Sequence, residues 1–125
     1  MNKSDFIEVL KQRTKQLAID IIHMYDKIQK TDATRIIGRQ LIRSVTSTAA
    51  NYRATCIARS QKEFFSKISI VVEEADETYY WLELLEQLNQ GNDEVVRLKT
   101  ESNELVSIFS AALKTAREKQ NSGKM

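Results

Sequence analysis

Proline is absent from this 125-residue chain, where average usage of about 5% would supply roughly six. Glycine is almost as scarce, confined to Gly38, Gly91 and Gly123. Sandwiches and barrels need frequent turn residues, so neither class is expected, and collagen-like or linker-rich chains are excluded. One cysteine, Cys56, leaves no intrachain disulfide and no thiolate metal cage, and fits a reducing compartment. No uninterrupted apolar run approaches the length that spans a bilayer. The start, Met1-Asn2-Lys3-Ser4-Asp5, leads into a charged stretch without an apolar h-region, so no signal peptide is expected. A cytoplasmic protein is the expectation, with no membrane partner.

What is present is helical periodicity. Apolar and small residues recur at alternating steps of three and four in four long stretches, the pattern of a bundle helix. The first runs Ile7, Leu10, Thr14, Leu17, Ile21, Met24, Ile28, and the second Ile37, Leu41, Val45, Thr48, Tyr52, Cys56. The third runs Phe64, Ile68, Val71, Ala75, Thr78, Leu82, Leu85, and the fourth Val95, Leu98, Ser102, Leu105, Phe109, Ala112, Ala116. Period-two alternation over a strand length is not evident. An apolar share of 42% against 29% charged residues is globular rather than disordered.

Punctuation falls between these stretches. Lys27 and Lys30 place positive charge at the end of the first helix, and Asp32 or Thr34 can cap the second. Ser60-Gln61-Lys62-Glu63 before Phe64-Phe65 reads as a capping box. Gly91 suits the left-handed residue after the third helix, and Asn92 can cap the fourth. Gly38, near the start of the second helix, is expected to relieve a close contact. Helices are therefore expected at about 4–28, 34–58, 61–89 and 93–118, with a polar tail, 119–125, that frays. Short links force neighbouring helices antiparallel, so residues 1–125 are read as one all-α domain, an up-down-up-down antiparallel four-helix bundle.

Charge is segregated although the net value is only +2. From Ala33 to Lys62 there are six basic residues (Arg35, Arg39, Arg43, Arg53, Arg59, Lys62) and no acidic one. From Ile68 to Val96 there are eight acidic residues and no basic one. At about 100° per residue, Arg35, Arg39, Arg43 and Arg53 share a sector of about 80°, broadly opposite the line of Leu41, Val45 and Tyr52. Arginine forks match phosphate oxygens, so such a row is a candidate nucleic-acid track. The competing reading pairs these arginines with the acidic third helix, within or between subunits.

The third helix carries a second apolar line, Ile70, Trp81, Leu84 and Leu88, turned away from its core line. Two stripes on one helix point to a homo-oligomer, with Trp81 as an interface anchor. Ile42 and Ile57 mark a fainter second line on the second helix.

Catalytic signals are weak. His23 is the only histidine, so Asp20-x-x-His23 has no second Glu-x-x-His with which to build a di-iron site. Cys56 falls on a core line, where cysteine is ordinarily inert packing. There is no phosphate-cradling glycine loop and no Ser-His-Asp set. No cofactor, metal or enzymatic activity is expected.

From about Arg39 to Leu85 the chain resembles a known family. The residues are Gln40-Leu41-Ile42-Arg43-Ser44, Ala50-Asn51-Tyr52-Arg53-Ala54 and Arg59-Ser60-x-x-Glu63-Phe64. They continue through Ile68 to Glu73-Glu74-Ala75-x-Glu77-Thr78 and Trp81-Leu82-Glu83-Leu84-Leu85. They are similar to bacterial four-helix-bundle proteins known as intervening-sequence proteins of 23S ribosomal RNA, also described as ribosomal-protein-like. The resemblance implies an up-down-up-down bundle and ring-like homo-oligomers, typically pentamers. It also brings in a more distant relative, the accessory protein of diversity-generating retroelements, a pentamer that binds nucleic acid and a reverse transcriptase. The expected function is that of a non-catalytic homo-oligomer binding RNA or DNA through the second-helix arginines. The alternative is a scaffold whose arginines form intersubunit salt bridges.

Overall fold

The computed structural model describes residues 1–90 and 92–122. Four α-helices account for most of them: α1 (Lys3–Lys27), α2 (Asp32–Cys56), α3 (Gln61–Leu85) and α4 (Asp93–Ser122). Ion pairs fix the relative direction of the outer pair. Arg13 meets Glu101 at 2.7 Å, Arg97 meets Asp20 at 3.5 Å and Lys27 meets Glu94 at 3.7 Å, so numbers rise along α1 as they fall along α4. With the short links, this gives the expected all-α antiparallel bundle. None of its described helices is long and apolar enough to cross a membrane.

The core follows the periodic lines. Leu41, Val45, Tyr52, Ile68, Ala75, Leu82, Leu105 and Phe109 are all buried, and the Tyr52 and Phe109 rings stack at 5.0 Å between centroids. Threonine and serine hold several core positions because their hydroxyls return to carbonyls one turn back. Thr48 Oγ1 donates to Ser44 O at 2.8 Å, and Thr78 Oγ1 to Glu74 O at the same distance. Thr78 also reaches across to Ser44 Oγ at 2.9 Å, a buried hydrogen bond between α3 and α2. Four positions on the expected core lines, Ile7, Cys56, Phe64 and Ala112, are only half-buried. There α1 and α4 stand apart and leave a cleft of about 670 Å³ lined by these residues and Phe6.

Helix ends depart from expectation by small shifts. Thr31, not Asp32 or Thr34, caps α2: its hydroxyl accepts from Thr34 N while Thr34 Oγ1 accepts from Thr31 N, a reciprocal box. Ser60 caps α3 through Glu63 N at 3.0 Å, and Asn92 caps α4 through Val95 N at 2.9 Å. The α-helical part of α3 ends at Leu85 and passes into a π-helical turn, Glu86–Gln90. Helix α4 runs to Ser122, so 119–122 are helical where fraying was expected. The expectation for Gly91 lies outside the described residues. Gly38 does mark a close approach, since a Cβ there would fall 2.6 Å from two atoms of the Tyr25 ring. Lys30 closes α1 by donating to the carbonyls of Tyr25 and Ile28 at 2.5 and 2.7 Å.

Candidate nucleic-acid interface

Arginines at 35, 39 and 43 rise one turn at a time along α2, and Arg53 returns to the same sector further on. All four are exposed, as are Arg59 and Lys62 in the link to α3 and its first turn. Their partners divide them. Arg43 sits on the flank facing α3, where its guanidinium bridges Glu74 at 3.0 Å and also pairs with Glu77. Its Nε donates to Gln40 Oε1 at 3.1 Å, and the same Glu77 oxygen accepts from Trp81 Nε1 at 3.0 Å. These contacts engage the donor fork of Arg43 within the chain.

The other cations are less constrained. Arg35 reaches only the exposed Asp32 one turn before it, at 3.7 Å, and Arg59 only Glu63, at 4.0 Å. Such local pairs on solvated faces hold a side chain weakly. Arg39, Arg53 and Lys62 form no ion pair among the described residues. Two lysines of α1 join this basic surface. Lys11 and Lys15 face Arg53 across a groove of about 690 Å³ between α1 and α2. Their spacing of four on α1 was visible in the sequence; their nearness to α2 depends on how the helices pack.

The second apolar line of α3 also divides. Ile70 and Leu88 are exposed, at 40% and 47%, whereas Trp81 and Leu84 are half-buried and pack against the core. The sequence reading missed Tyr80, 51% exposed, whose ring meets that of Trp81 edge-on at 4.9 Å. On α2, Ile42 packs against the core while Ile57 stays exposed.

Residues with chemical potential elsewhere are dispersed. His23 is exposed, and Asp20 accepts from Gln16 at 2.8 Å besides meeting Arg97. Among the described residues no three of His, Cys, Asp or Glu converge to hold a metal ion. Cys56 is half-buried, and burial pushes its thiol above the ordinary value, which disfavours the nucleophilic thiolate. Burial likewise raises the neighbouring Tyr52 phenol. Hydrogen bonding to Glu101 raises the Arg13 guanidinium above its already high ordinary value, so Arg13 keeps its positive charge in this tie between α1 and α4.

Comparison with known proteins places this arrangement. A solved structure similar to the chain is that of a protein with unknown function from the S23 ribosomal protein family of Bacteroides thetaiotaomicron VPI-5482. The two share 28% identity at a TM-score of 0.73, over 83% of this chain and 97% of that one. No curated protein matches the chain. The family model described as 23S rRNA-intervening sequence protein matches residues 8–111, from the first turns of α1 into the second half of α4. This chain therefore belongs to the 23S rRNA-intervening sequence protein family.

Proposed function

We propose that the protein is a non-catalytic, cytoplasmic homo-oligomer that binds nucleic acid, RNA or DNA, through the exposed basic face of α2. One observation carries the reading: Arg39 stands exposed between Arg35 and Arg53 with no ion pair among the described residues. An arginine whose fork is vacant can take a phosphate without first breaking a bond. The family description supports the same direction by associating such chains with 23S rRNA intervening sequences. Arg43 acts differently on this reading. Engaged by Glu74 and Glu77, it holds α2 against α3 and contributes little to phosphate binding.

A scaffold reading has its own support in the exposed Ile70, Tyr80 and Leu88. The retroelement resemblance adds a five-membered ring and a reverse-transcriptase partner to what is proposed, testable by sedimentation mass and by co-purification. The deciding experiment uses Arg35→Gln with Arg39→Gln in one chain, reading nucleic-acid retention and assembly mass on the same sample. Weaker retention of both a structured RNA and a DNA duplex, at unchanged mass, supports the binding face. Loss of mass before loss of retention supports the scaffold. Phosphate contacts release counterions, so retention should also fall steeply with salt and show little sequence preference.

A further inference from the structure

At the end of the bundle where α1 and α3 begin and α2 and α4 finish, the core stripes stop short of closing. Ile7, Cys56, Phe64 and Ala112 border the cleft of about 670 Å³, whose floor is the buried Leu10, Ile68 and Phe109. A second hollow of about 340 Å³ shares Lys3, Phe64, Ala112 and Thr115 with it and adds Lys119. At ~1.5 Å per residue α4 carries the two hollows for about 16 Å, from Ile108 to Lys119. A concave, mostly apolar cleft of this size has the dimensions of a small-molecule pocket.

Its wall offers little to a polar ligand. Thr55 Oγ1 already donates to Asn51 O at 2.8 Å, and Thr115 Oγ1 to Ala111 O at 3.2 Å. Burial holds the Tyr52 phenol and the Cys56 thiol in their neutral forms. Among the described residues neither hollow is lined by a carboxylate. Glu8, the carboxylate that Tyr52 and Cys56 feel, lines the separate groove between α1 and α2 and pairs with Lys11 at 3.1 Å. The charged groups of the lining are Lys3 and Lys119, both exposed at the mouth and without an ion pair among the described residues. A hydroxyl-rich ligand would lose water here without gaining partners, whereas a hydrocarbon gains by leaving water. We infer that the cleft binds a single-chain anionic amphiphile, a medium-chain carboxylate, with its tail on Leu10, Ile68 and Phe109 and its head between Lys3 and Lys119. Arg35 and Arg39 stand at the start of α2, toward the other end of the bundle, so this site is independent of the nucleic-acid face.

Equilibrium dialysis of the full-length protein against labelled dodecanoate, kept below its micellar concentration, tests the assignment. Uptake should saturate at one molecule per chain. Each methylene removed, through decanoate to octanoate, should weaken binding about fourfold, as for a buried tail. Dodecanol should bind about fivefold more weakly than dodecanoate, the size of two solvent-screened charge pairs. Lys3→Gln with Lys119→Gln should weaken dodecanoate by a similar factor and leave dodecanol as it was. Ala112→Phe, which puts a ring into the cleft, should abolish uptake of both while helical content by circular dichroism holds. Where that content falls, the lysine pair decides, since both positions are exposed, and unchanged dodecanoate affinity there overturns the site. Uptake that never saturates, that ignores chain length or that survives Ala112→Phe in a folded chain also overturns it, as does equal binding of dodecanoate and dodecanol. A sedimentation mass that drops as dodecanoate is added overturns it in favour of a second copy of the chain in the cleft. Retention on anionic phospholipid vesicles without uptake of the free carboxylate overturns it in favour of a lipid surface.

Discussion

The two flanks of α2 carry the same residue type to different ends. On the flank facing α3, Arg43 lies between Glu74 and Glu77, beside the buried hydrogen bond from Thr78 to Ser44. On the outer flank, about 40–80° around the helix, Arg35, Arg39 and Arg53 have no partner on a neighbouring helix among the described residues. Both sets are exposed to water, and Arg43 still shows 46% of its side chain. Exposure therefore does not separate an arginine that ties helices together from one available to a ligand. The neighbouring helix does, by presenting carboxylates within reach or none.

The largest effect should come from the core beneath both flanks. Leu41→Ala and Leu82→Ala, at positions with no exposure, should each cost about 2–5 kcal/mol in denaturant unfolding. A negligible cost at both would mean that the helix faces are misassigned. Next comes the contrast between the flanks themselves. Arg43→Gln should cost about 0.2–1 kcal/mol, the range of solvent-screened ion pairs, while Arg39→Gln should stay within about 0.5 kcal/mol of wild type. Nucleic-acid retention should invert that order. Equal behaviour of the two variants in both assays would erase the distinction.

A smaller effect concerns pH. Burial raises the Cys56 thiol and the Tyr52 phenol in the folded chain, and both are neutral when protonated. The unfolded chain ionises at the ordinary values, 9.0 and 10.0, while the folded chain still holds its protons. The stability linked to these groups is thus complete below pH 9.0 and declines as pH rises above it. Urea midpoints should be level near neutrality and fall above pH 9.0, and Cys56→Ala should flatten the first part of the fall.

Much of the fold was legible because a bundle helix buries one stripe at a fixed angular period. Leu41, Val45, Ile68 and Leu82 are core residues on that ground alone. The stripe does not state how closely helices approach, so the cleft beside Ile7, Phe64 and Ala112 could not be read from it. The cap of α2 was displaced by one residue because Thr31, Asp32 and Thr34 are all competent caps and only backbone geometry selects Thr31. The arginine row was legible as a row. Which member is neutralised depends on Glu74 and Glu77 arriving from another helix, about thirty residues along the chain. The nearness of Lys11 and Lys15 to Arg53 is likewise a product of packing.

Nucleic-acid affinity measured against salt, for wild type and for the chain carrying Arg35→Gln and Arg39→Gln, tests the outer flank most directly. Each phosphate contact contributes about 0.9 to the slope of log affinity against log salt on duplex DNA, so losing two should make that slope shallower by about 1.8. The account predicts that change at unchanged assembly mass, with Arg43→Gln leaving the slope as it was. Equal slopes for wild type and the double variant, or no binding by wild type at low salt, would contradict it.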